Sequence, residues 1–249
     1  MKLTGHLAED CPTSGICPQI RDTDTDKVVV VGTEITDPHI LRELDLPSHE
    51  AAVAVPRSMI YGQRLLTIDE MLTWIGQHHT RDLVRLETRT GYAVTTDGDD
   101  YHRYLRGEDV PNADAKAPWL ARLAKDTASG HIWRKVHLVC GPLTDYQRYE
   151  FEWGFAYNVT AGEQIRILEV TDPNEAELIA ALGDFSVLDG KHVLRNHYDT
   201  ADQFLGGEVI YASEAAALSL LIGRLWDAAE PFESWWNRHP QYHRAHSAA

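Results

Sequence analysis

Pro142-Leu-Thr-Asp-Tyr-Gln-Arg-Tyr-Glu-Phe151 is the densest polar and aromatic stretch of the chain, and it closely follows the apolar run Val136-His-Leu-Val-Cys140. Apolar and β-branched residues predict a strand through 132–139, and the Gly-Pro step after Cys140 interrupts it. The polar residues that follow predict a helix from Asp145 to about Tyr157. The stretch therefore predicts the passage from a buried strand to a helix with a polar face.

The segments on either side of this stretch predict an α+β fold. Thr67-Ile-Asp-Glu70 is a capping box at the start of a helix, and residues 84–94 alternate in the manner of a half-buried strand. Pro118 is expected at the first position of another helix, where proline is tolerated. Three strands after residue 184 are predicted to form a meander, with turns at Asp189-Gly190 and Gly206-Gly207. Together these segments predict a mixed, mostly antiparallel sheet flanked by helices.

Residues 1–60 differ from the rest of the chain and predict a small N-terminal β-module. The β-branched run Lys27-Val-Val-Val-Val-Gly-Thr-Glu-Ile35 is typical of a buried strand, and Pro56 stops a second short strand. The predicted domains are this module, a main α+β domain over 61–238 and a disordered tail over 239–249. Because an exposed apolar strand invites aggregation, we expect the module to pack on the main domain or to pair with a second chain in a homodimer.

The net charge of the chain indicates which classes of partner it can bind. The 23 Lys and Arg residues against 38 Asp and Glu residues give a formal net charge of −15. Nucleic-acid binding depends on cationic side chains that displace counterions, so direct nucleic-acid binding is not expected. An acidic surface can instead bind a basic surface of another protein, which makes a protein the expected partner.

The composition also predicts a cytoplasmic protein without membrane association. No apolar run approaches the roughly 18 residues of a membrane-spanning helix. The first ten residues lack the apolar segment of a secretory signal. Three cysteines in a chain of 249 residues do not predict a disulfide framework.

The helix that follows Cys140 is expected to carry a functional face. Positions 145, 148, 149 and 152 share one side of such a helix, so Arg148 can pair with Asp145 or Glu152. Charged residues from neighbouring strands are expected to converge on this side. The predicted ligand-binding residues are Glu87, Arg134, Asp145, Tyr146, Arg148, Tyr149, Glu163, Arg166 and Asp189. Two interpretations stay open: a pocket for an anionic or zwitterionic ligand, or a buried ion-pair network that fixes the helix to the sheet.

Other reactive residues carry weaker signals. The sequence places no general base beside Cys140. The pair Cys11 and Cys17 lacks a second pair of ligands at zinc spacing, and a proline interrupts His239-x3-His243-x2-His246. His78-His79 is expected to end a helix, where a cation suits the helix dipole. The sequence contains no Gly-rich phosphate loop and no His-Glu-x-x-His or Gly-x-Ser-x-Gly motif. We therefore predict no metal site and no cofactor, assign no catalytic residue, and leave open whether the protein is an enzyme.

The central stretch also resembles a known family. Pro142-Leu-Thr-Asp-Tyr-Gln-Arg-Tyr149, followed by Asn158-x-x-Ala-Gly-Glu-x-Ile-Arg166, is similar to the pattern of the actinobacterial DUF6879 domain, and the resemblance extends over about residues 64–235. The other motifs that carry it are Arg85-Leu-Glu-Thr-Arg89 with Tyr92, Pro118-Trp119-Leu120, Gly130, Arg134, Asp184-Phe185, Leu188-Asp189 and Phe204-Leu-Gly206. The chain departs from the family pattern at Cys140-Gly141, where the family has Ser-Glu, and at Ser186, where it has Trp.

The resemblance implies a regulatory role. Members of the family are small proteins usually encoded beside helix-turn-helix regulators, and residues 1–60 resemble short proteins encoded near the same regulators. The resemblance therefore implies a non-catalytic regulatory or interaction protein that binds a helix-turn-helix regulator. The alternative is a small-molecule enzyme or ligand sensor with a pocket lined by Tyr, Arg and Glu side chains.

Overall fold

The computed structural model describes residues 2–9, 18–25, 27, 29–45, 47, 50–55, 65–93 and 99–244. These residues form two compact units, one within Met1–Arg64 together with Tyr211–Glu214, and one within Leu65–Ile210 together with Ala215–Ala249. Within the described ranges, no helix combines the length and the apolar character needed to cross a membrane.

The smaller unit contains short antiparallel strands, so the predicted N-terminal β-module is confirmed. Its elements are β1 (Leu3–Glu9), β2 (Gln19–Thr23), β3 (Val29–Val31), β4 (Thr33–Glu34), helix α1 (Pro38–Leu44) and β5 (Val53–Ala54). Strands β1, β2 and β3 form one sheet in that order, and β4 pairs with β5. The Asp37 carboxylate accepts a hydrogen bond from the His39 N–H at 2.8 Å, which caps the start of α1. Val28 and Pro56, on which the two strand predictions partly depend, lie outside the described residues.

The remaining elements alternate between helices and strands. The strands are β6 (Asp82–Glu87), β7 (Ile132–Val139), β8 (Gln164–Glu169), β9 (Asp184–Leu188), β10 (His192–Tyr198), β11 (Phe204–Ile210) and β12 (Glu230–Pro231). The α-helices are α2 (Ile68–His78), α3 (Asp100–Leu105), α4 (Ala113–Ala128), α5 (Asp145–Tyr149), α6 (Ala156–Thr160), α7 (Pro173–Ala180), α8 (Ala212–Ala228) and α9 (Phe232–Arg238). A π-helical segment, Glu150–Phe155, connects α5 to α6, and a 3-10 turn follows at Pro240–Tyr242.

The larger unit is organised by a seven-stranded sheet in the order β11-β10-β9-β6-β7-β8-β12. The pairs β6–β7 and β7–β8 are parallel, and the other neighbouring pairs are antiparallel. The parallel strands are separated in sequence by helices, whereas β9, β10 and β11 follow one another as the predicted meander. The predicted α+β class, with its mixed and mostly antiparallel sheet, is confirmed.

Helices cover both faces of this sheet. On the first face, α7 and α8 pack through Ala176 and Ile222 against strand residues such as Val136 and Phe185. The second face packs against the π segment and α9, and against α2 and α4 further along. Because the central strands are buried on both sides, they are apolar along most of their length.

The helix predicted from Asp145 is present, but it is not a continuous α-helix. Phe151 and Phe155 stack with ring centres 4.9 Å apart and belong to the core on the second face. Trp153 packs instead against Tyr104, at 5.3 Å between ring centres. The rings of this segment therefore pack on two sides, and its backbone is π-helical, a feature frequent at functional sites.

The meander contains one confirmed turn and one wrong prediction. Asp189 and Gly190 have φ values of 51° and 68° and make the turn between β9 and β10. Gly206 and Gly207 lie inside β11 instead of in a turn, because another segment approaches their backbone closely. A Cβ atom on Gly206 would lie 2.6 Å from Cβ of Leu65, so only glycine fits there.

Two further boundaries differ from the prediction. Helix α4 begins at Ala113 rather than at Pro118, because Asn112 caps its start and the alanine-rich first turns favour a helix ahead of the proline. The strand predicted over 84–94 ends at Glu87. Residues 239–244 of the predicted tail include the 3-10 turn and pack on α9, where the His239 ring stacks on Trp235 at 4.0 Å.

Candidate functional site

Charged side chains lie in the centre of the second sheet face, where apolar residues are usual. Alternate residues of a strand point to the same face, so Arg85 and Glu87 of β6 lie beside Lys135 and His137 of β7. The relative exposures of Glu87 and His137 are 6% and 0%, respectively. Together with Gln147 of α5 and Asp184 of β9, these residues are called the polar core: Arg85, Glu87, Lys135, His137, Gln147 and Asp184.

Glu87 is the central carboxylate of the polar core. Its Oε1 lies 3.0 Å from Lys135 Nζ and 3.5 Å from Arg85 Nη1, and its Oε2 lies 3.4 Å from His137 Nδ1. Burial raises the pKa of Glu87, but Lys135, His137 and Arg85 more than offset this and hold the pKa well below its ordinary value. Burial lowers the pKa values of Lys135 and Arg85, but Glu87 reverses the effect and leaves both raised. Mutual pairing therefore keeps these groups charged inside the protein.

Asp184 is the second buried carboxylate of the polar core, with a relative exposure of 2%. One of its oxygens accepts hydrogen bonds from the backbone N–H and the hydroxyl of Thr88, at 2.8 and 2.9 Å. The other accepts a bond from the Tyr92 hydroxyl at 2.7 Å. Burial and the nearby charge of Glu87 raise the pKa of Asp184, although the bonds from Tyr92 and Thr88 oppose the shift. Asp184 thus fastens the loop after β6 to the sheet.

The start of α5 fixes the position of the proton on His137. Thr144 and Gln147 form a capping box, in which the Thr144 N–H donates to Gln147 Oε1 at 3.1 Å. The amide nitrogen of Gln147 therefore faces Nε2 of His137, at 3.3 Å. An amide N–H can pair only with an unprotonated ring nitrogen, so the proton of the neutral imidazole lies on Nδ1, beside Glu87. His137 accepts from Gln147 and donates to Glu87.

Glu87, His137 and Glu150 also have the composition of a metal site, because their ligand atoms lie within 4.8 Å of one another. Two features of the polar core oppose metal binding there. The ammonium of Lys135 already pairs with Glu87, and the ring nitrogen that faces the carboxylates carries the proton that a metal would displace. The arrangement is that of an ion-pair network.

Aromatic rings adjoin the polar core. The Tyr146 ring of α5 lies 5.9 Å from Tyr92, 5.2 Å from Tyr101 and 5.7 Å from Tyr149, measured between ring centres. Tyr149 is fully buried, whereas the other three are partly accessible. Because Tyr92 also donates to Asp184, this tyrosine cluster and the polar core form one connected region.

The structure brings three of the predicted ligand-binding residues to this region, namely Glu87, Tyr146 and Tyr149. Asp145 is exposed at the first turn of α5. Arg148 places its guanidinium 5.7 Å from the ring centre of Tyr242. The region therefore contains the aromatic part of the predicted helix face.

Arg134 and Arg166 lie elsewhere, on the first face of the sheet. Arg134 forms a bidentate pair with Asp82. The two guanidinium groups lie 5.1 and 4.5 Å from the ring of Trp226 on α8, and Arg166 also donates to the Trp226 carbonyl at 2.8 Å. Since adjacent strand positions point to opposite faces, Arg134 cannot join Lys135 in the polar core.

Glu163 and Asp189 hold loops at the amino ends of the parallel strands. Glu163 is buried and accepts a hydrogen bond from Asn158 Nδ2 at 2.8 Å. Asp189 accepts bonds from the backbone N–H groups of Thr80, Arg81 and Asp82, at 2.8, 2.9 and 2.7 Å. Burial raises the pKa of Asp189, but these bonds outweigh it and hold the pKa well below its ordinary value.

Two cavities lie at this end of the parallel strands. Glu163 and Arg166 line a cavity of about 420 Å³, and Arg134 and Asp189 line one of about 640 Å³. Gln164 lines both, so the two cavities are neighbours. Of the nine predicted residues, three thus lie on the tyrosine side of the second face and four line these cavities, whereas Asp145 and Arg148 belong to neither group.

Sequence reasoning missed most of the polar core as site residues. Arg85 and Asp184 entered only as parts of motifs, and Lys135 and His137 only as strand residues. The available signal was that three polar residues, Arg134, Lys135 and His137, interrupt the apolar strand Ile132–Val139, and that Lys135 and His137 lie at alternate positions. A strand that is buried on both faces places such residues in the interior, where they need partners.

The fold and this site define a class: an α+β domain with a mixed sheet covered by helices and an ion-pair network on one sheet face. A family model described as a domain of unknown function, DUF6879, matches residues 69–237, and the chain belongs to this family. No curated protein matches the chain.

Proposed function

We propose that the protein is a non-catalytic regulatory protein that binds a protein partner through its acidic surface. The observation that supports this proposal is the internal pairing of the polar core. Glu87 is bound by Lys135, and Asp184 by Thr88 and Tyr92. Groups committed to one another in this way stabilise a fold and are poorly placed to act on a substrate.

The net charge of −15 supports a basic partner. Charge complementarity steers association and selects among partners, even where it adds little to affinity. The DNA-binding face of a helix-turn-helix regulator is such a surface, since it must neutralise phosphates. The proposed partner is therefore a helix-turn-helix regulator whose gene lies beside the gene of this protein. The proposed host is an actinobacterium, and the proposed site of binding is the cytoplasm. The resemblance of residues 1–60 to short proteins encoded near such regulators supports the same partner.

Calorimetric titration of the full chain with that regulator tests the proposal. We expect saturable binding at about 50 mM salt and at least tenfold weaker binding at about 300 mM, because salt screens attraction between exposed charges. The operator duplex should compete with the protein for the regulator. No binding at low salt, or binding that neither salt nor the duplex affects, would contradict the proposal.

A ligand sensor or small-molecule enzyme is the second candidate, and the paired cavities that share Gln164 favour it. Their volumes fall in the range of small-molecule sites, and they contain arginine and carboxylate side chains together with Trp226. A thermal-shift screen with amino acids and nucleotides separates the two candidates, because a ligand that binds the folded state raises Tm. A saturable rise that is lost in Arg166→Met would replace the first proposal with this one.

A further inference from the structure

Two histidines occupy equivalent positions at the amino ends of neighbouring parallel strands. His79 follows the last residue of α2 and comes three residues before β6, and His131 lies between α4 and the first residue of β7. The first residues of these strands, Asp82 and Ile132, are partners in the sheet. The αβ connections therefore bring the two imidazoles together, with ring centres 5.1 Å apart and ring planes 66° apart.

Each imidazole has one buried nitrogen without a hydrogen-bond partner among the described residues. These atoms are Nε2 of His79 and Nδ1 of His131. A buried polar atom that stays unpaired destabilises the folded state, so such atoms usually have a partner. Two of them on adjacent imidazole rings indicate a shared ligand that accepts nitrogen lone pairs.

The ring separation fits a metal ion. Two imidazoles bound to one tetrahedral zinc ion at Zn–N distances of about 2.0–2.1 Å have ring centres about 5 Å apart. The observed separation is 5.1 Å. The separation of the two ring centres is thus that of two imidazoles bound to one ion.

The surroundings also favour a cation. The carboxyl ends of α2 and α4 carry the partial negative charge of the helix dipole, and each histidine lies within three residues of one of them. The carboxylates of Asp189 and Asp126 are also near enough to His79 to act on it electrostatically, so negative charge is close by.

We propose that His79 and His131 bind a divalent transition metal ion, with Zn²⁺ as the ion tested. Imidazole nitrogen suits zinc, copper and nickel, whereas Mg²⁺ and Ca²⁺ prefer oxygen. Two protein ligands leave further positions for water or for a donor group of a bound molecule. The competing interpretation is a metal-free aromatic contact, since Trp133 also lies 4.8 Å from the His79 ring.

Calorimetric titration of the chelator-treated full chain with Zn²⁺ tests this site. We expect saturable binding that is weakened at least tenfold in His79→Gln and in His131→Gln. His192→Gln is the matched control, because His192 packs against His78 at 4.6 Å in the same unit but outside the proposed pair. Mg²⁺ should give no comparable binding.

A second measurement separates ligand loss from loss of structure. Co²⁺ bound to the wild-type chain should give the visible absorption of a tetrahedral site, and His131→Cys should retain binding because thiolate is also a zinc ligand. The proposal is overturned if the wild-type chain has no saturable Zn²⁺ site. It is equally overturned if the two glutamine variants bind Zn²⁺ as tightly as the wild type does, or if the His192→Gln control loses as much Zn²⁺ affinity as they do.

Discussion

Glu87 compensates the buried ammonium of Lys135 and the half-buried guanidinium of Arg85, and this makes it the residue on which the polar core depends. Lys135 Nζ and Arg85 Nη1 lie 3.0 and 3.5 Å from its Oε1. Breaking a buried pair by removing one partner is far more costly than removing both, because the remaining charge stays unpaired. A single substitution in the network is therefore expected to lower the free energy of unfolding more than a double substitution that removes both partners.

Glu87→Gln should lower the free energy of unfolding by about 3–5 kcal/mol, because it leaves Lys135 and Arg85 uncompensated. The double variant Glu87→Gln/Lys135→Met should lose less than the single variant. Urea unfolding followed by circular dichroism measures both. A loss below about 1 kcal/mol in the single variant, or a larger loss in the double one, would show that the pairing is not what holds this region together.

Acidification should reduce the difference in stability between the wild type and Glu87→Gln. The folded-state pKa of Glu87 is lowered, so its stabilising contribution is complete above the ordinary carboxyl pKa of 4.5 and is lost as pH falls through the folded value. The gap between the wild type and Glu87→Gln should therefore be constant near neutral pH and should shrink below pH 4.5. Unfolding curves recorded across that range provide the comparison.

At the level of residues, the sequence indicated which side chains are unusual but not where they meet. Tyr146 and Tyr149 share a cluster because α5 is a local element, whose faces follow from spacing. Arg134 was expected beside Glu87, yet the two point to opposite faces. That separation depends on strand register, which pairs Arg134 with Val84 and is set by contacts far apart in the chain.

Among the elements, β11 shows how close approach constrains a strand. The Leu66 N–H donates to the Gly207 carbonyl at 2.6 Å, and the Gly207 N–H donates back to Leu66 at 2.9 Å. Gly206 has a φ of 147°, and a Cβ on it would also meet the Leu66 carbonyl oxygen at 2.9 Å. The edge of the sheet is covered at this point only because both positions lack a side chain.

Gly206→Ala should destabilise the protein by about 1–3 kcal/mol, because it adds backbone strain and pushes residues 65 and 66 from the strand. Gly223→Ala is the matched control. Gly223 lies in α8 with no atom within 4 Å of an added Cβ, so alanine should stabilise the helix by about 0.5–1 kcal/mol. Thermal unfolding should move in opposite directions for the two variants, and a shift of the same sign in both would refute this account of β11.

The contrast between local sequence signals and contacts of distant residues explains which elements were predictable. The capping box at Thr67 and the Asp189-Gly190 turn were predicted correctly, because both are encoded within four residues. The glycine pair of β11 was misread as a turn, since its partner residue, Leu66, is 141 positions away in sequence. The π-helical segment was missed because the spacing of polar and apolar residues was read with the α-helical period alone, which does not include a π-helical turn.

For the whole molecule, the acidic charge leads to a prediction about nucleic acid. A fluorescently labelled duplex mixed with the full chain at about 50 mM salt should show no saturable rise in anisotropy, because a net charge of −15 repels phosphate. The helix-turn-helix regulator, added to the same duplex, is the positive control. Saturable binding that weakens with salt would require a cationic surface and would contradict the proposed mode of partner binding.

The π-helical segment Glu150–Phe155 holds about one residue more than an α-helix of the same rotation, because its hydrogen bonds span five residues instead of four. Deleting one residue here would therefore restore a continuous α-helix and leave the residues after it in nearly the same rotational phase. Asn158, which donates to Glu163 at 2.8 Å, would still face that carboxylate, and the approach to β8 would be kept. The cost of the deletion would fall instead on the rings within the segment, because Phe151 and Phe155 pack in the core and Trp153 packs against Tyr104.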